Sequence, residues 1–166
     1  GASPGRGYTV IDLCRVKVGV INLMGTAFME ALDCPFRTLD HIVDELEKQN
    51  VKIRVLDFHA EATGEKRAMG FYAQKKITAM FGTHTHVQTS DACLIGDMGY
   101  VTDVGMTGAV NSVLGVKPEL IIEKLKNKMP VRFAYEQDGP SKLDGVLYTI
   151  DDKTYKTTGV ELLEIM

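Results

Sequence analysis

Residues 77–91, with the sequence ITAMFGTHTHVQTSD, place an apolar run directly before two histidines. The first five residues have the character of a short buried strand. His84 and His86 follow it with one residue between them, and they are two of only four histidines in the chain. Open α/β sheets bind their ligands just beyond the carboxyl ends of strands. This stretch therefore predicts a strand of an α/β sheet with a site at its end.

Other apolar and β-branched runs predict further strands along the chain. They cover residues 8–13, 16–23, 51–58, 100–104, 131–136 and 146–150. The first two suggest a strand pair, and a return of the chain at Leu162 and Leu163 suggests a terminal hairpin. Helical patterns lie between several runs, and strands that alternate with helices predict a layered α/β fold.

Three amphipathic segments predict helices. The first follows Thr38, a candidate N-cap, and stops near Asn50. The second covers residues 65–76 with Thr63 as its candidate N-cap, and the third begins near Pro118, which suits a first helical turn. The predicted inner faces are Leu39, Ile42, Val43 and Leu46; Ala68, Met69, Tyr72 and Ala73; and Ile121, Ile122 and Leu125.

The composition is that of an ordinary globular protein and argues against several functions. Hydrophobic residues make up 45% and charged residues 25% of the 166 residues, which suits one domain with one core. The net charge of −3, without a basic block, argues against a long nucleic acid as partner. No run is long enough for a membrane span. Three widely spaced cysteines without a C-x-x-C pair predict a reducing, cytoplasmic location.

Three histidines could meet at one edge of the predicted sheet. In an extended chain the side chains of residues i and i+2 share a face, so His84 and His86 would converge if residues 82–86 are extended. His59 follows another predicted strand, and a strand–helix–strand unit would set that strand beside the first. Neutral imidazole is the commonest metal ligand. The three residues therefore predict a metal site, while an H-x-H pair without a metal stays open as the alternative.

Two aspartates are candidates for orienting these ligands. Asp57 shares a strand face with His59, two residues away, and Asp103 follows another predicted strand. Partners of this kind hold the second ring nitrogen of a metal-bound histidine. Solvated carboxylates are the alternative interpretation for both.

Several segments together resemble the YmdB-like family of bacterial metallophosphoesterases. These segments are INLMG (21–25), DCPFRT (33–38), DFHAEAT (57–63), GTHTHVQT (82–89), YVTDVGMTG (100–108) and MPVRF (129–133). The similarity covers nearly the whole chain. It departs from the family at residues 109–111, where Ala-Val-Asn replaces an expected Pro-Tyr-Asp, which concerns local substrate contacts.

The resemblance implies a calcineurin-like fold, with two β-sheets layered together and flanked by helices. It implies two divalent transition-metal ions, manganese, iron or zinc, with His59, His84 and His86 among their ligands. It also implies hydrolysis of a small phosphodiester, 2′,3′-cyclic or 3′,5′-cyclic AMP, by a metal-bridging hydroxide. A membrane and a long nucleic acid are not expected as partners, and a homo-oligomer stays open.

The resemblance further implies that part of the site lies outside this sequence. Residues 1–166 would be the C-terminal two thirds of a single domain, incomplete at the N-terminus. The carboxylate and amide ligands, and the histidine that protonates the leaving group, are expected in the preceding third. No catalytic residue other than metal ligands is then expected here, and the chain by itself should be inactive.

Two other functions stay open from the sequence. An amidohydrolase also carries H-x-H at a strand end, although there the motif follows the first strand of a barrel. A regulatory module could use the same fold without turnover. Residues 28–36 carry apolar side chains that suggest either a subunit contact or folding back onto the core.

Overall fold

The computed structural model describes residues 5–166, which form two β-sheets and three helices. The predicted mixed α/β fold with two sheets is confirmed. The strands are β1 Tyr8–Asp12, β2 Lys17–Met24, β3 Ile53–His59, β4 Ala79–Thr83, β5 Cys93–Ile95, β6 Met98–Val101, β7 Thr107–Ala109, β8 Ser141–Ile150 and β9 Thr157–Ile165. The helices are α1 Pro35–Lys48, α2 Thr63–Ala73 and α3 Pro118–Asn127.

The larger sheet has the strand order β1-β2-β3-β4-β6-β5. Its four central strands run parallel, and β1 and β5 add an antiparallel strand at either edge. In this register His59 lies opposite Thr83 on one side and Met24 on the other. The carboxyl ends of β2, β3 and β4 therefore meet along one edge of the sheet.

Helix α1 covers the sheet with the apolar face that the sequence predicts. Leu39, Ile42, Val43 and Leu46 are all buried in the core. The predicted N-cap is wrong: the helix begins at Pro35, and the Thr38 hydroxyl donates to the Cys34 carbonyl within the first turn. Proline suits this first turn because it has no N–H group to satisfy.

Helix α2 begins and ends earlier than predicted, and half of its predicted inner face is confirmed: Met69 and Ala73 are buried, whereas Ala68 and Tyr72 are exposed. The helix ends at Ala73, and Thr63 is its first residue rather than its cap. The buried side of the helix holds Lys66, Met69, Gly70 and Ala73, spaced at i, i+3, i+4 and i+7. A lysine thus occupies a core position on this helix.

The smaller sheet consists of β7, β8 and β9, and the predicted terminal hairpin is confirmed as β8 and β9. It packs on the larger sheet through polar as well as apolar contacts. The Tyr148 hydroxyl donates to the Met80 carbonyl at 2.8 Å, and the Thr157 hydroxyl donates to the Thr78 carbonyl at 2.6 Å. Both bonds satisfy backbone groups of the β4 region where the sheets meet.

Three sequence-based expectations are wrong in detail. Residues 131–136 do not form a strand and make only an isolated bridge, at Tyr135. The short strands β5 and β7, three residues each, were not expected. Helix α3 forms, but its predicted inner face is not buried, since Ile122 is 59% and Leu125 is 61% exposed.

The apolar segment at residues 28–36 is divided between core and surface. Phe36 packs edge-on against Tyr72, with ring centroids 5.2 Å apart, and Met29 contacts the core. Phe28 is 91% exposed. No helix of residues 5–166 is long and apolar enough to cross a membrane.

The close approach of β4 and β6 generates a prediction at Gly82. A Cβ atom at this position would lie 1.8 Å from the Thr102 carbonyl oxygen, which is backbone and cannot swing away. We expect Gly82→Ala to lower the free energy of unfolding by more than about 3 kcal/mol, measured by chemical denaturation. Gly64→Ala is the matched control, because nothing lies within 4 Å of the place that its methyl group would take on α2, and it should be neutral or stabilise by up to about 1 kcal/mol. Equal stability of the two variants would contradict the packing described here.

Candidate metal centre

Two of the predicted ligand histidines lie in direct contact at the carboxyl edge of the larger sheet. His59 is the last residue of β3, and His84 comes directly after β4. The Nε2 atom of His59 is 3.1 Å from the Nδ1 atom of His84, and the rings meet edge to face with centroids 4.9 Å apart. The parallel pairing of β3 with β4 is what brings them together.

This separation fits two ligands of one transition-metal ion. Nitrogens bound at about 2.0–2.1 Å, with about 90–109° between the bonds, lie about 2.8–3.4 Å apart. The distance of 3.1 Å between His59 Nε2 and His84 Nδ1 falls within this range. The donor set also suits manganese, iron or zinc, because imidazole serves each of them.

Glu61 adds a carboxylate to the same cluster. Its Oε2 atom is 2.6 Å from His84 Nε2, and its side chain is about half exposed. The contact uses the His84 nitrogen that faces away from His59, so it leaves the Nδ1 atom directed at His59. Glu61 therefore occupies the place of a partner that orients a ligand histidine.

His86 is placed differently from the sequence expectation. Residues 82–86 are not extended throughout: β4 ends at Thr83, and His84 and His86 have φ angles of 116° and 62°. The i and i+2 argument for a shared face therefore fails here. His86 is exposed, and within residues 5–166 no three His, Cys, Asp or Glu side chains are grouped closely enough to hold one ion. Its role as a ligand stays a prediction.

Asp57 reaches His59 through an intermediate hydroxyl. The Thr83 Oγ1 atom donates to Asp57 Oδ1 at 2.8 Å and is itself 3.1 Å from His59 Nδ1. The Asn22 amide donates to Asp57 Oδ2 at 2.8 Å. Asp57 thus lies behind the predicted ligand His59, as the sequence suggested, but it reaches the imidazole only through the Thr83 hydroxyl.

Asp103 supports the loop that carries the histidines rather than a histidine ring. Its carboxylate is fully buried, pairs with Lys66 at 2.9 Å and accepts the backbone N–H groups of Thr85 and Gly105. Burial on its own raises the pKa of this carboxyl. The hydrogen bonds from Lys66, Thr85 and Gly105 outweigh that effect and hold the pKa below its ordinary value.

The Asp103 contacts account for the unusual backbone around the histidines. Positive φ angles are costly for residues with a Cβ atom, and they persist where the surrounding structure imposes them. The Thr85 amide lies between the two histidines with positive φ, and Asp103 fixes it at 2.9 Å. The buried ion pair thus holds the loop in the conformation that turns His84 toward His59.

The environment of His59 favours the form that binds metals. Burial, and then the neighbouring His84, lower the pKa of the His59 imidazole below its ordinary value. This shift favours the neutral ring, which is the state of a metal ligand. Asp57 acts in the opposite direction but more weakly.

Sequence reasoning missed Lys66, Thr83 and Asn22, although Lys66 carries a signal. Lys66 repeats at helical spacing with Met69, Gly70 and Ala73, which marks it as buried and in need of an anionic partner. Thr83 ends β4 in register with His59. Asn22 lies on β2 in register with Asp57, but that pairing becomes visible only once the strand order is known.

The buried ion pair yields a prediction for stability. Lys66→Met leaves the buried Asp103 carboxylate without its cation, so the free energy of unfolding should fall by about 3–5 kcal/mol at neutral pH. The loss should shrink as the pH falls toward the pKa of Asp103, because a protonated carboxyl needs no cation. Denaturation of Lys75→Met, which removes an exposed lysine from the same region, provides the control, with a change within about 0.5 kcal/mol. Similar stability of both variants would show that the pair is not needed.

Comparison with known proteins places this chain in a family. The family model of the YmdB-like protein matches residues 1–163. A 2′,3′-cyclic-nucleotide 2′-phosphodiesterase of Bacillus subtilis is 42% identical over 164 residues, which are 98% of this chain and 61% of that protein. A putative phosphatase/phosphodiesterase of Mycoplasma pneumoniae is 33% identical, over 98% of this chain and 58% of that protein. The chain thus spans about three fifths of the length of these curated relatives.

Solved structures agree with the sequence comparison. A hypothetical protein from Thermus thermophilus superimposes with a TM-score of 0.90 at 30% identity, covering 99% of this chain and 63% of that chain. A phosphatase from Mycoplasma pneumoniae gives 0.87 at 32% identity, covering 97% and 57%. The expected calcineurin-like class of fold is thereby confirmed, and the chain belongs to the YmdB-like family.

Proposed function

We propose that the protein acts as a metal-dependent phosphodiesterase on cyclic nucleotides, with a 2′,3′-cyclic nucleotide as substrate. The observation that carries the proposal is the 3.1 Å approach of His59 Nε2 and His84 Nδ1 at the carboxyl edge of the sheet. Membership of the YmdB-like family and the named activity of the Bacillus subtilis relative support it. The same relative favours the 2′,3′-cyclic over the 3′,5′-cyclic substrate, because its name specifies the former.

In this proposal His59 and His84 hold one divalent ion, and His86 contributes to a two-ion centre. Such ions polarise phosphoryl oxygens and lower the pKa of bound water, which supplies a hydroxide nucleophile at neutral pH. The histidines bind as neutral donors, so they leave the positive charge of the centre uncancelled. An anionic phosphodiester is then attracted to this edge of the sheet.

Other residues of the chain position the histidines rather than bind the metal. Glu61 orients His84, and Asp103 with Lys66 fixes the loop from which His84 and His86 project. The general acid stays a prediction and is expected outside residues 1–166. The assignment of these residues to the C-terminal two thirds of one domain also stays a prediction, and it accords with the 61% of the Bacillus subtilis relative that the chain spans.

His84→Ala should abolish hydrolysis of 2′,3′-cyclic AMP by the full natural protein that contains this chain. The substitution removes the nitrogen that faces His59 at 3.1 Å and so removes half of the paired donors. The measurement is release of the phosphomonoester with manganese, iron or zinc supplied in turn. His41→Ala is the matched control, because His41 lies exposed on α1, away from the sheet edge, and should retain wild-type turnover.

Full turnover by His84→Ala with metal supplied would refute the assignment. Elemental analysis of the unsubstituted protein separates the alternatives, since about two ions per chain are expected for the phosphodiesterase. A protein without metal would instead favour the regulatory module. Hydrolysis of amides but not of cyclic nucleotides would favour an amidohydrolase.

A further inference from the structure

We propose that Thr83 is a positioning residue that fixes the His59 tautomer with the proton on Nδ1 and the lone pair on Nε2. The inference rests on the proposed function, because it concerns the same two histidines. It adds a residue that acts through His59 rather than on the substrate. Its evidence is a chain of hydrogen bonds in which each donor can be identified.

The chain of bonds begins at the Asp57 carboxylate, which can only accept. Asn22 donates to one carboxylate oxygen through its amide, and Thr83 lies 2.8 Å from the other. A threonine hydroxyl has a single proton to donate. Because that proton is directed to Asp57, the Thr83 oxygen can only accept from His59.

The remaining contact of Thr83 then determines the His59 ring. His59 Nδ1 is 3.1 Å from Thr83 Oγ1, so this nitrogen must carry the proton. In a neutral imidazole the other nitrogen is then an acceptor with a free lone pair. That nitrogen is Nε2, the atom 3.1 Å from His84.

The hydrogen-bond partner of His84 determines the tautomer of its ring in the same way. His84 Nε2 faces the Glu61 carboxylate at 2.6 Å, so it carries the proton and leaves a lone pair on Nδ1. Two lone pairs then face each other across 3.1 Å, where neither nitrogen can donate to the other. A cation bound by both relieves this repulsion, and histidine ligands in proteins commonly pair their second nitrogen in this way.

The hydrogen bonds from His59 to Thr83 and from Thr83 to Asp57 form a relay, and this relay depends on the position of Thr83. Thr83 ends β4 opposite His59 in the parallel register, so the two backbones hold the side chains beside each other. A threonine at this position supplies one hydroxyl of fixed rotamer, since its χ1 angle is restricted by branching. A valine has nearly the same shape and lacks only the hydroxyl, which makes the relay testable by a single substitution.

The test compares Thr83→Val with Thr83→Ser in the full natural protein. Loss of the hydroxyl should weaken zinc binding about 10–100-fold in competition with a chelating indicator, and serine, which restores the hydroxyl, should recover most of it. Thr9→Val, an exposed threonine of β1, is the matched control and should bind zinc like the unsubstituted protein. A merely structural role of Thr83 would change the free energy of unfolding of Thr83→Val and leave the zinc affinity of the folded protein unchanged.

Nitrogen NMR of histidine in the metal-free protein provides a readout that does not depend on activity. We expect the Nδ1–H tautomer at His59 in the unsubstituted protein and a shift toward Nε2–H in Thr83→Val. If Thr83→Val fails to fold, the His59 tautomer of the unsubstituted protein still tests the inference. A proton on His59 Nε2, or one shared with His84, would overturn it.

The two proposals fail in different ways. If the unsubstituted protein binds zinc and Thr83→Val binds it equally tightly, the role of Thr83 is refuted while the metal centre stands. If the unsubstituted protein binds no divalent metal, the proposed function is refuted, and the tautomer measurement still judges the relay.

Discussion

The parallel pairing of β3 with β4 is the constraint on which the candidate site depends. This pairing sets His59 opposite Thr83, so the next residue, His84, lies in contact with the His59 ring. Nothing in the local sequence around either histidine could create this contact alone, because the two are separated by helix α2. The core that holds the strands in register, including the fully buried Leu56, Phe58 and Met80, therefore also maintains the geometry of the site.

Buried polar groups behind the histidines fix the conformation of the loop that carries His84. Asp103 and Lys66 form an ion pair with no solvent exposure, and the pair fixes the Thr85 amide between two residues with positive φ. A buried ion pair is weak evidence for stability, since its desolvation offsets much of its attraction. Here the ion pair holds the loop that carries His84 and His86 in place. The positive φ angles of that loop would otherwise be unfavourable for residues with a Cβ atom. His84 can consequently meet both His59 and Glu61.

The fold and part of the site were accessible from the sequence, for physical reasons that differ by element. Apolar periodicity identified α1, and alternating strands and helices identified the sheet, because both patterns follow directly from burial. Helix α3 was found by its pattern, yet its expected inner face lies open, since periodicity cannot say which surface a helix meets. The three-residue strands β5 and β7 are too short to carry a pattern.

At the site, His59 and His84 could be anticipated as neighbours, whereas the conformation at His86 could not. The i and i+2 rule presumes extended backbone, and the chain leaves β4 at Thr83 because Asp103 captures the Thr85 amide. That capture involves residues 18 positions apart and has no local signal. The relay through Thr83 was hidden for a similar reason, because it depends on strand register rather than on spacing along the chain.

The proposed metal centre requires His59 Nε2 and His84 Nδ1 to bind the same cation. Anomalous X-ray diffraction from crystals of the metal-loaded full protein tests it most directly, by locating the ion at its absorption edge. If both histidines bind the same cation, the ion should lie about 2.0–2.2 Å from both nitrogens. An ion bound through His84 Nε2, or one that contacts neither ring, would contradict it.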